Sequence, residues 1–232
     1  AAKEKIGIVG RTGSGKSSLI LALKRVVNCQ GHIFLDGADV FELGLKYARE
    51  AFTLVPQEPF LLSGTVRSNL DPRGSLTDGE LADVLRKTRL LDSLARGEQK
   101  INSITTGEPV NTEREGLADK IPNIGDILDL KVEAGGSNFS QGQRQLLCIA
   151  RALAHKPQVL LMDEATASID TKTDSIIQGL IRSEFTNSTV LTIAHRLNTI
   201  IYYDKILFLR EGRILEYGSP KDLLKDRQSQ FS

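Results

Sequence analysis

The sequence predicts an α/β fold: a mainly parallel sheet around a phosphate-binding loop, with a mostly helical segment inserted between its strands. Three observations carry that prediction. The pattern G-x-x-x-x-G-K-[ST] runs from Gly10 to Ser17, between the apolar run Lys5–Val9 and a helical start at Ser18–Leu23. Short apolar runs of strand length return at Phe52–Val55, Val159–Met162 and Thr189–Ala194. Amphipathic helical stretches separate most of them, and strands alternating with helices give a sheet of parallel strands with ligand groups at the strand ends.

The first strand, Lys5–Val9, reads as buried, and the helix after it carries Leu19, Leu23 and Val26 on one face. Strand, glycine loop and helix follow in the order that aims backbone N–H groups and the positive end of a helix at phosphate. Glycines Gly10, Gly13 and Gly15 let the loop bend and approach a ligand closely. Lys16 is expected to reach the β- and γ-phosphates, and the Ser17 hydroxyl to sit on Mg²⁺. Arg11, Thr12, Ser14 and Ser18 complete the loop and its helix start, so the chain is expected to bind a nucleoside triphosphate.

Gly31–Gly37 reads as a short strand closed by an Asp-Gly turn, and Phe52–Val55, ended by Pro56, as the next strand of the same sheet. Gln57 follows that strand, placed to contact magnesium or the attacking water. From Ser63 to Ala95 the pattern turns helical. Thr77–Glu80 has capping-box spacing, with Leu81, Val84, Leu85 and Thr88 sharing a face. Residues 97–125 are polar and lack periodicity, and read as a solvent-exposed excursion. Leu128, Leu130 and Val132 then alternate briefly.

Gln143–Ala154 is a strong amphipathic helix, with Leu146, Ile149, Ala150 and Leu153 inward, stopped by Pro157. Val159–Met162 is an apolar strand that delivers Asp163 and Glu164 to its exposed end. Asp163 suits a hard cation, and Glu164 is placed to polarise water against a γ-phosphate. A helix over Thr171–Phe185 turns Ile176, Ile177, Leu180 and Ile181 inward, and the strand Thr189–Ala194 leads to His195. From there the His195 ring can bond to γ-phosphate or hold the water. Ile206–Leu209 and Arg213–Tyr217 form a hairpin around Gly212, and Ser219-Pro220 caps a short terminal helix.

Ser140, Gly142 and Gln143 stand just before the long helix and offer a hydroxyl, a glycine N–H and a helix N-terminus. One triphosphate does not need two phosphate-binding devices from one subunit. The economical arrangement is a head-to-tail sandwich, in which this device serves a nucleotide held by another domain.

Composition narrows the classes. With 30 Lys+Arg against 29 Asp+Glu the chain has no charge excess that argues for nucleic acid. Its two cysteines, Cys29 and Cys148, support neither a disulfide framework nor a metal cluster, and a reducing compartment is expected. No apolar run approaches bilayer length, so membrane association would come through a partner or an attached domain. The chain starts close to its first strand, which suggests an excised domain. A small GTPase would carry an Asn-Lys-x-Asp motif, which the sequence lacks.

The ordered set resembles the nucleotide-binding domain of an ATP-binding cassette (ABC) transporter, over essentially the whole chain. Gly10–Ser17 resembles Walker A, Gln57 the Q-loop, and Phe139–Gln143 the signature Leu-Ser-Gly-Gly-Gln, with Gln141 in place of a glycine. Val159–Glu164 is similar to Walker B with its catalytic glutamate, Ala167–Asp170 to the D-loop, and His195 to the switch histidine. Gly64–Pro72, Asn138–Cys148 and Thr192–Ile200 look like subfamily C, the multidrug-resistance-associated and sulfonylurea-receptor-like group, and resemble its second nucleotide-binding domain.

The resemblance implies ATP and Mg²⁺ as ligands and a transmembrane domain and a second nucleotide-binding domain as partners, at the cytoplasmic face of a membrane. It implies a core lobe of residues 1–62 and 155–232 and a mainly helical subdomain of residues 63–154. It also implies that antiparallel strands and an adenine-stacking aromatic upstream of Walker A are truncated. The activity it implies is ATP hydrolysis driving an exporter. A nucleotide sensor gating a channel or receptor, and a soluble ATPase acting on ribosomes or DNA, are the alternatives.

Overall fold

The computed structural model describes residues 2–94, 123–163, 169–194, 197–226 and 229–230. They divide into two compact units. The first comprises residues 1–58, 156–169 and 181–232, and the second comprises residues 59–155 and 170–180.

The first unit holds a six-stranded sheet in the order β10-β9-β1-β8-β7-β4. These strands are β1 (Lys5–Val9), β4 (Phe52–Val55), β7 (Val159–Asp163), β8 (Thr189–Ile193), β9 (Lys205–Arg210) and β10 (Arg213–Gly218). All neighbours pair in parallel except β9 and β10, which form the expected antiparallel hairpin. Helices α1 (Lys16–Leu23) and α2 (Leu45–Ala51) belong to the same unit. Ile8, Ile20, Ala48, Phe52, Leu161, Ile193 and Leu209 meet in one buried cluster that joins the sheet to both helices. Consecutive apolar residues in β7 and β8 fit strands covered on both faces, as parallel sheets require.

Three local expectations are corrected here. Helix α1 ends at Leu23, because Arg25 takes a left-handed φ of 51°, and Val26 is 58% exposed; the buried member of α1 is Ile20, with Leu19 and Leu23 only partly covered. The Asp36-Gly37 turn forms as expected, with both residues at positive φ. It joins two-residue strands, β2 (Phe34–Leu35) and β3 (Ala38–Asp39), into a separate ribbon outside the main sheet. A run this short makes too few ladder bonds to add a strand. The alternation at 128–132 is not one strand either. Leu128 ends helix α5 (Ile124–Leu128), capped by Asn123, and only Lys131–Val132 is extended, as β6.

The second unit is mainly helical, with α3 (Val66–Leu70), α4 (Asp78–Lys87), α5 and α6 (Gln141–His155) packed on one another. Residues 90–94 are also helical, and Gly64–Thr65 (β5) pairs with β6. The capping box at Thr77 is present, and Leu81, Val84, Leu85 and Thr88 are all buried. Of the expected excursion over 97–125, residues 97–122 lie outside the described residues, and the end of the stretch already enters α5. Helix α7 (Thr171–Ser183) contributes its residues through Leu180 to this unit.

A buried polar knot fastens the loop before α3 to α6. The Asn69 amide, 2% exposed, donates to the Leu62 and Thr65 carbonyls at 2.8 and 3.0 Å and accepts from Leu62 N–H at 2.9 Å. Arg151 on α6 donates to both the Asn69 carbonyl and its side-chain oxygen, at 2.6 and 2.9 Å. Truncating the amide strands several buried groups at once, each worth about 1 kcal/mol net. Asn69→Ala is therefore expected to lower unfolding stability by roughly 3 kcal/mol, seen as a lower urea midpoint with unchanged slope. Among the described residues, no helix is long and apolar enough to cross a membrane.

Candidate functional site

Parallel strands place all their C-terminal ends on one sheet edge, and the site begins there. The register aligns Ile8 with Ile193 and Ile193 with Asp163, so Asp163 at the end of β7 stands level with the last residues of β1. One row earlier, Gly7, Thr192, Met162 and Val55 are in line. Gln57, two residues beyond Val55 and exposed, therefore reaches the same edge. The phosphate loop leaves β1 at this edge, and Ala194 N–H donates to the Ile8 carbonyl at 3.2 Å, bringing the end of β8 alongside.

Gly10 turns the chain with φ 153°, and a Cβ there would stand 2.2 Å from the Leu209 carbonyl oxygen; only glycine lets the loop lie this close to β9. Gly15 stands in the left-handed region, φ 102°, as the residue before α1. The first N–H groups of α1 have no acceptor inside the helix and face outward from its start. Lys16 is 7% exposed, and its ammonium donates to the Gly10 and Arg11 carbonyls at 2.8 and 3.0 Å. The loop thus bends around its own cation. The Ser14 hydroxyl is buried with no hydrogen-bond partner among the described residues. Arg11, Thr12, Gly13, Ser17 and Ser18 are exposed. Arg11 also lines a cleft with Phe208, Leu209, Arg210 and Gln230.

These residues fit a triphosphate. A largely buried ammonium, a helix start and a hydroxyl that bonds to no described residue supply donors to an anion. For magnesium, the described residues hold no cluster of three His, Cys, Asp or Glu side chains. The donors at hand are oxygens, from Ser17, Gln57 and Asp163, which suits a hard cation that also takes phosphate and water ligands. Glu164, which follows β7, and His195, which follows β8, lie outside the described residues.

The structure adds a loop support with no signal in the motif. The β9–β10 turn, Glu211 and Gly212 at φ 51° and 74°, lies against the phosphate loop, where Gly212 N–H donates to the Ser14 carbonyl at 3.0 Å. A glycine between two apolar runs is legible as a hairpin turn; what the hairpin touches is not.

Ser140, Gly142 and Gln143 belong to the second unit, at the start of α6. Ser140 caps this 15-residue helix: its hydroxyl accepts from Gln143 N–H at 3.2 Å, and the Gln143 side chain accepts from Ser140 N–H at 2.9 Å. The other end of the Gln143 amide donates to Ser93 at 3.0 Å, so that side chain is committed to the local fold. Among the described residues the exposed Ser140 hydroxyl accepts from Gln143 and donates to none, which leaves its proton to an outside acceptor. Gly142 lies against the start of α7, where a Cβ would come within 3.0 Å of the Thr173 hydroxyl oxygen. That hydroxyl donates to Asp170 at 2.7 Å and, with Thr173 N–H, holds the Asp170 carboxyl below the usual carboxylate range. Thr173 and Ser93 carry no motif, and only contact reveals them.

Comparison with known proteins agrees with the geometry. The family description "ABC transporter" matches residues 1–167. The chain is 45% identical to the ATP-dependent bile acid permease of Saccharomyces cerevisiae, over 99% of this chain and 14% of that protein. It is 49% identical to ABC transporter 7 of Pyricularia oryzae, over 96% of this chain and 13% of the relative. It is 45% identical to ATP-binding cassette sub-family C member 4 of Homo sapiens, over 99% of this chain and 15% of the relative. Among solved structures, a bacterial Atm1-family ABC exporter with ATP bound superposes with a TM-score of 0.80 at 30% identity, covering 100% of this chain and 36% of that one. The chain thus spans about one seventh of the length of these curated relatives, 13–15%.

Proposed function

The chain belongs to the ABC transporter family, as an ATPase domain related to the exporters of subfamily C, and on that premise we propose that it powers solute export across a membrane. It works as the second nucleotide-binding domain of a longer protein, at the cytoplasmic face, joined to transmembrane domains and paired head to tail with another nucleotide-binding domain. Residues 1–62 and 155–232 act as the catalytic lobe and 63–154 as the helical subdomain.

In this reading the loop Gly10–Ser18 and Lys16 hold the phosphates of ATP. Ser17, Asp163 and Gln57 hold magnesium, which when bound offsets charge on the β- and γ-phosphates. Glu164 accepts a proton from the attacking water or polarises it, and His195 steadies that water or the γ-phosphate. Ser140, Gly142 and the N–H of Gln143 face the γ-phosphate of the partner's nucleotide. Closure of the pair on two ATP molecules moves the attached membrane helices, and hydrolysis with product release reopens it.

One observation carries the proposal. Ser140 presents an O–H that no described residue accepts, at the N-terminus of a long helix in a unit other than the one that contains the phosphate loop. Mixing tests it. A Lys16→Ala chain keeps a working signature, and a Ser140→Arg chain keeps a working loop. Each alone is expected to hydrolyse ATP at most at a few per cent of the wild-type rate. Together they are expected to regain turnover through the one composite site that both complete, measured as phosphate release against mixing ratio. Full activity of Ser140→Arg alone, or no gain on mixing two folded chains that do associate with each other, would overturn the head-to-tail arrangement.

A further inference from the structure

Helix α1 begins at the phosphate loop and ends at two consecutive cations, Lys24 and Arg25, and both are spent on backbone carbonyls of one neighbouring segment. The Lys24 ammonium donates to the Phe52 carbonyl at 2.6 Å and to the Arg49 carbonyl at 3.2 Å. Arg25, turned by its left-handed backbone, donates to the Val40 and Leu43 carbonyls at 3.1 and 2.7 Å, and its guanidinium lies 5.4 Å over the Phe41 ring. The segment they grip, residues 40–52, contains α2 and runs into β4 with no connecting loop.

The carbonyls at the end of a helix have no intrahelical donor, so a cation there satisfies them and favours the negative end of the dipole. Lys24 and Arg49 share this place, and Lys24 is half-buried; burial, followed by the Arg49 charge, pulls its pKa below the ordinary lysine value. Holding an ammonium in such surroundings is costly unless its bonds matter to the fold or to the site. Phe52, which accepts the shorter bond, is 3% exposed and opens β4 inside the core. Five residues further along the same strand direction comes Gln57.

We infer that Lys24 is a positioning residue for Gln57. Helix α1 and strand β4 are two rails that both end at the nucleotide edge, one in Ser17 and the other in Gln57, and Lys24 is the rung joining their far ends. Core packing through Ile20, Ala48 and Phe52 holds the rails side by side. Apolar contacts tolerate small sliding, whereas two directed bonds from one ammonium fix where β4 starts relative to α1. That fixes the height at which Gln57 meets an ion held by Ser17. This role rests on the assignment of Gln57 as a magnesium ligand made above.

The test compares Lys24→Met, which keeps the stem and removes the donors, with Lys24→Arg, which restores them, and with Gln57→Ala. Turnover at saturating ATP is measured against free Mg²⁺, and nucleotide affinity is measured separately without Mg²⁺. Lys24→Met and Gln57→Ala are each expected to raise the half-saturating Mg²⁺ about tenfold, and Lys24→Met to leave magnesium-free affinity within twofold of wild type, with Lys24→Arg close to wild type. The double variant should be no worse than Gln57→Ala alone, because both changes remove one interaction. A general loss of stability would instead lower magnesium-free affinity as well and add to Gln57→Ala. If Lys24→Met does not fold, Lys24→Gln, whose shorter and uncharged side chain keeps an amide NH₂ donor group, takes its place with a smaller shift in the same direction. Unchanged Mg²⁺ dependence in the Lys24 variants beside a shifted Gln57→Ala overturns the rung and leaves the role of Gln57 standing. Unchanged dependence in Gln57→Ala overturns that role, and the rung with it.

Discussion

Glu164→Gln is expected to keep ATP bound while turnover falls by about 10²-fold or more, the range for loss of a positioned acid–base group. The substitution is nearly isosteric and removes a carboxylate's charge and basicity, so water at the γ-phosphate loses its acceptor. Asp163, one residue earlier at the end of β7 and proposed to hold magnesium, is kept, and the loop from Gly10 to Ser17 is untouched. Binding and chemistry should therefore separate. Calorimetry with MgATP is expected to give near wild-type affinity, with slow phosphate release in a single-turnover assay of the paired domains. Wild-type release would remove Glu164 from the mechanism, and lost binding would assign it to the nucleotide pocket instead.

Lys16→Ala should act earlier, at binding. The wild-type ammonium donates to two loop carbonyls, Gly10 and Arg11, from a position almost closed to solvent. Removing it takes away the charge that would meet phosphate and leaves those carbonyls without their donor. Hydrogen bonds to charged groups contribute about 1.5–3 kcal/mol each, so losing the two that the ammonium would make to the β- and γ-phosphates predicts a roughly 10²-fold or larger rise in the Kd for ATP. Isothermal titration gives the answer directly, and far-UV circular dichroism separates lost affinity from a collapsed loop. Unchanged affinity would mean that the nucleotide is not held where the glycine pattern indicates. Lys16→Arg is the informative companion, because it keeps the charge and changes only the shape of the donor.

Most of the sheet was legible because a covered parallel strand must be apolar on both faces and short. Lys5–Val9, Phe52–Val55, Val159–Asp163 and Thr189–Ile193 all satisfy this, and all are neighbours in the sheet. Caps were legible for a similar local reason: Thr77 bonds to Glu80, and Ser219, followed by Pro220, to Asp222, each within three residues. Where local pattern and structure differ, the decision was not local. Leu19, Leu23 and Val26 share a helical face in sequence, yet the chain reverses at Arg25 and leaves Val26 in solvent. Leu128, Leu130 and Val132 alternate, yet Asn123 starts a helix that takes the first of them.

The sequence by itself determined that a phosphate loop joins a strand to a helix, that carboxylates end a buried strand, and that a serine opens a second helix at anion-binding spacing. Each of these is a pattern of near neighbours, written in residue types whose backbone preferences and donors act over a turn or less. Only the tertiary structure decided that Gly212 braces the loop, that Gln143 is spent on Ser93, that Thr173 touches Gly142, and that Lys24 ties α1 to the root of β4. Those pairs stand from 28 to 198 residues apart. No propensity or spacing encodes which distant carbonyl a lysine will meet, because that is fixed by how covered sheet faces and helix ends find one another when the chain closes.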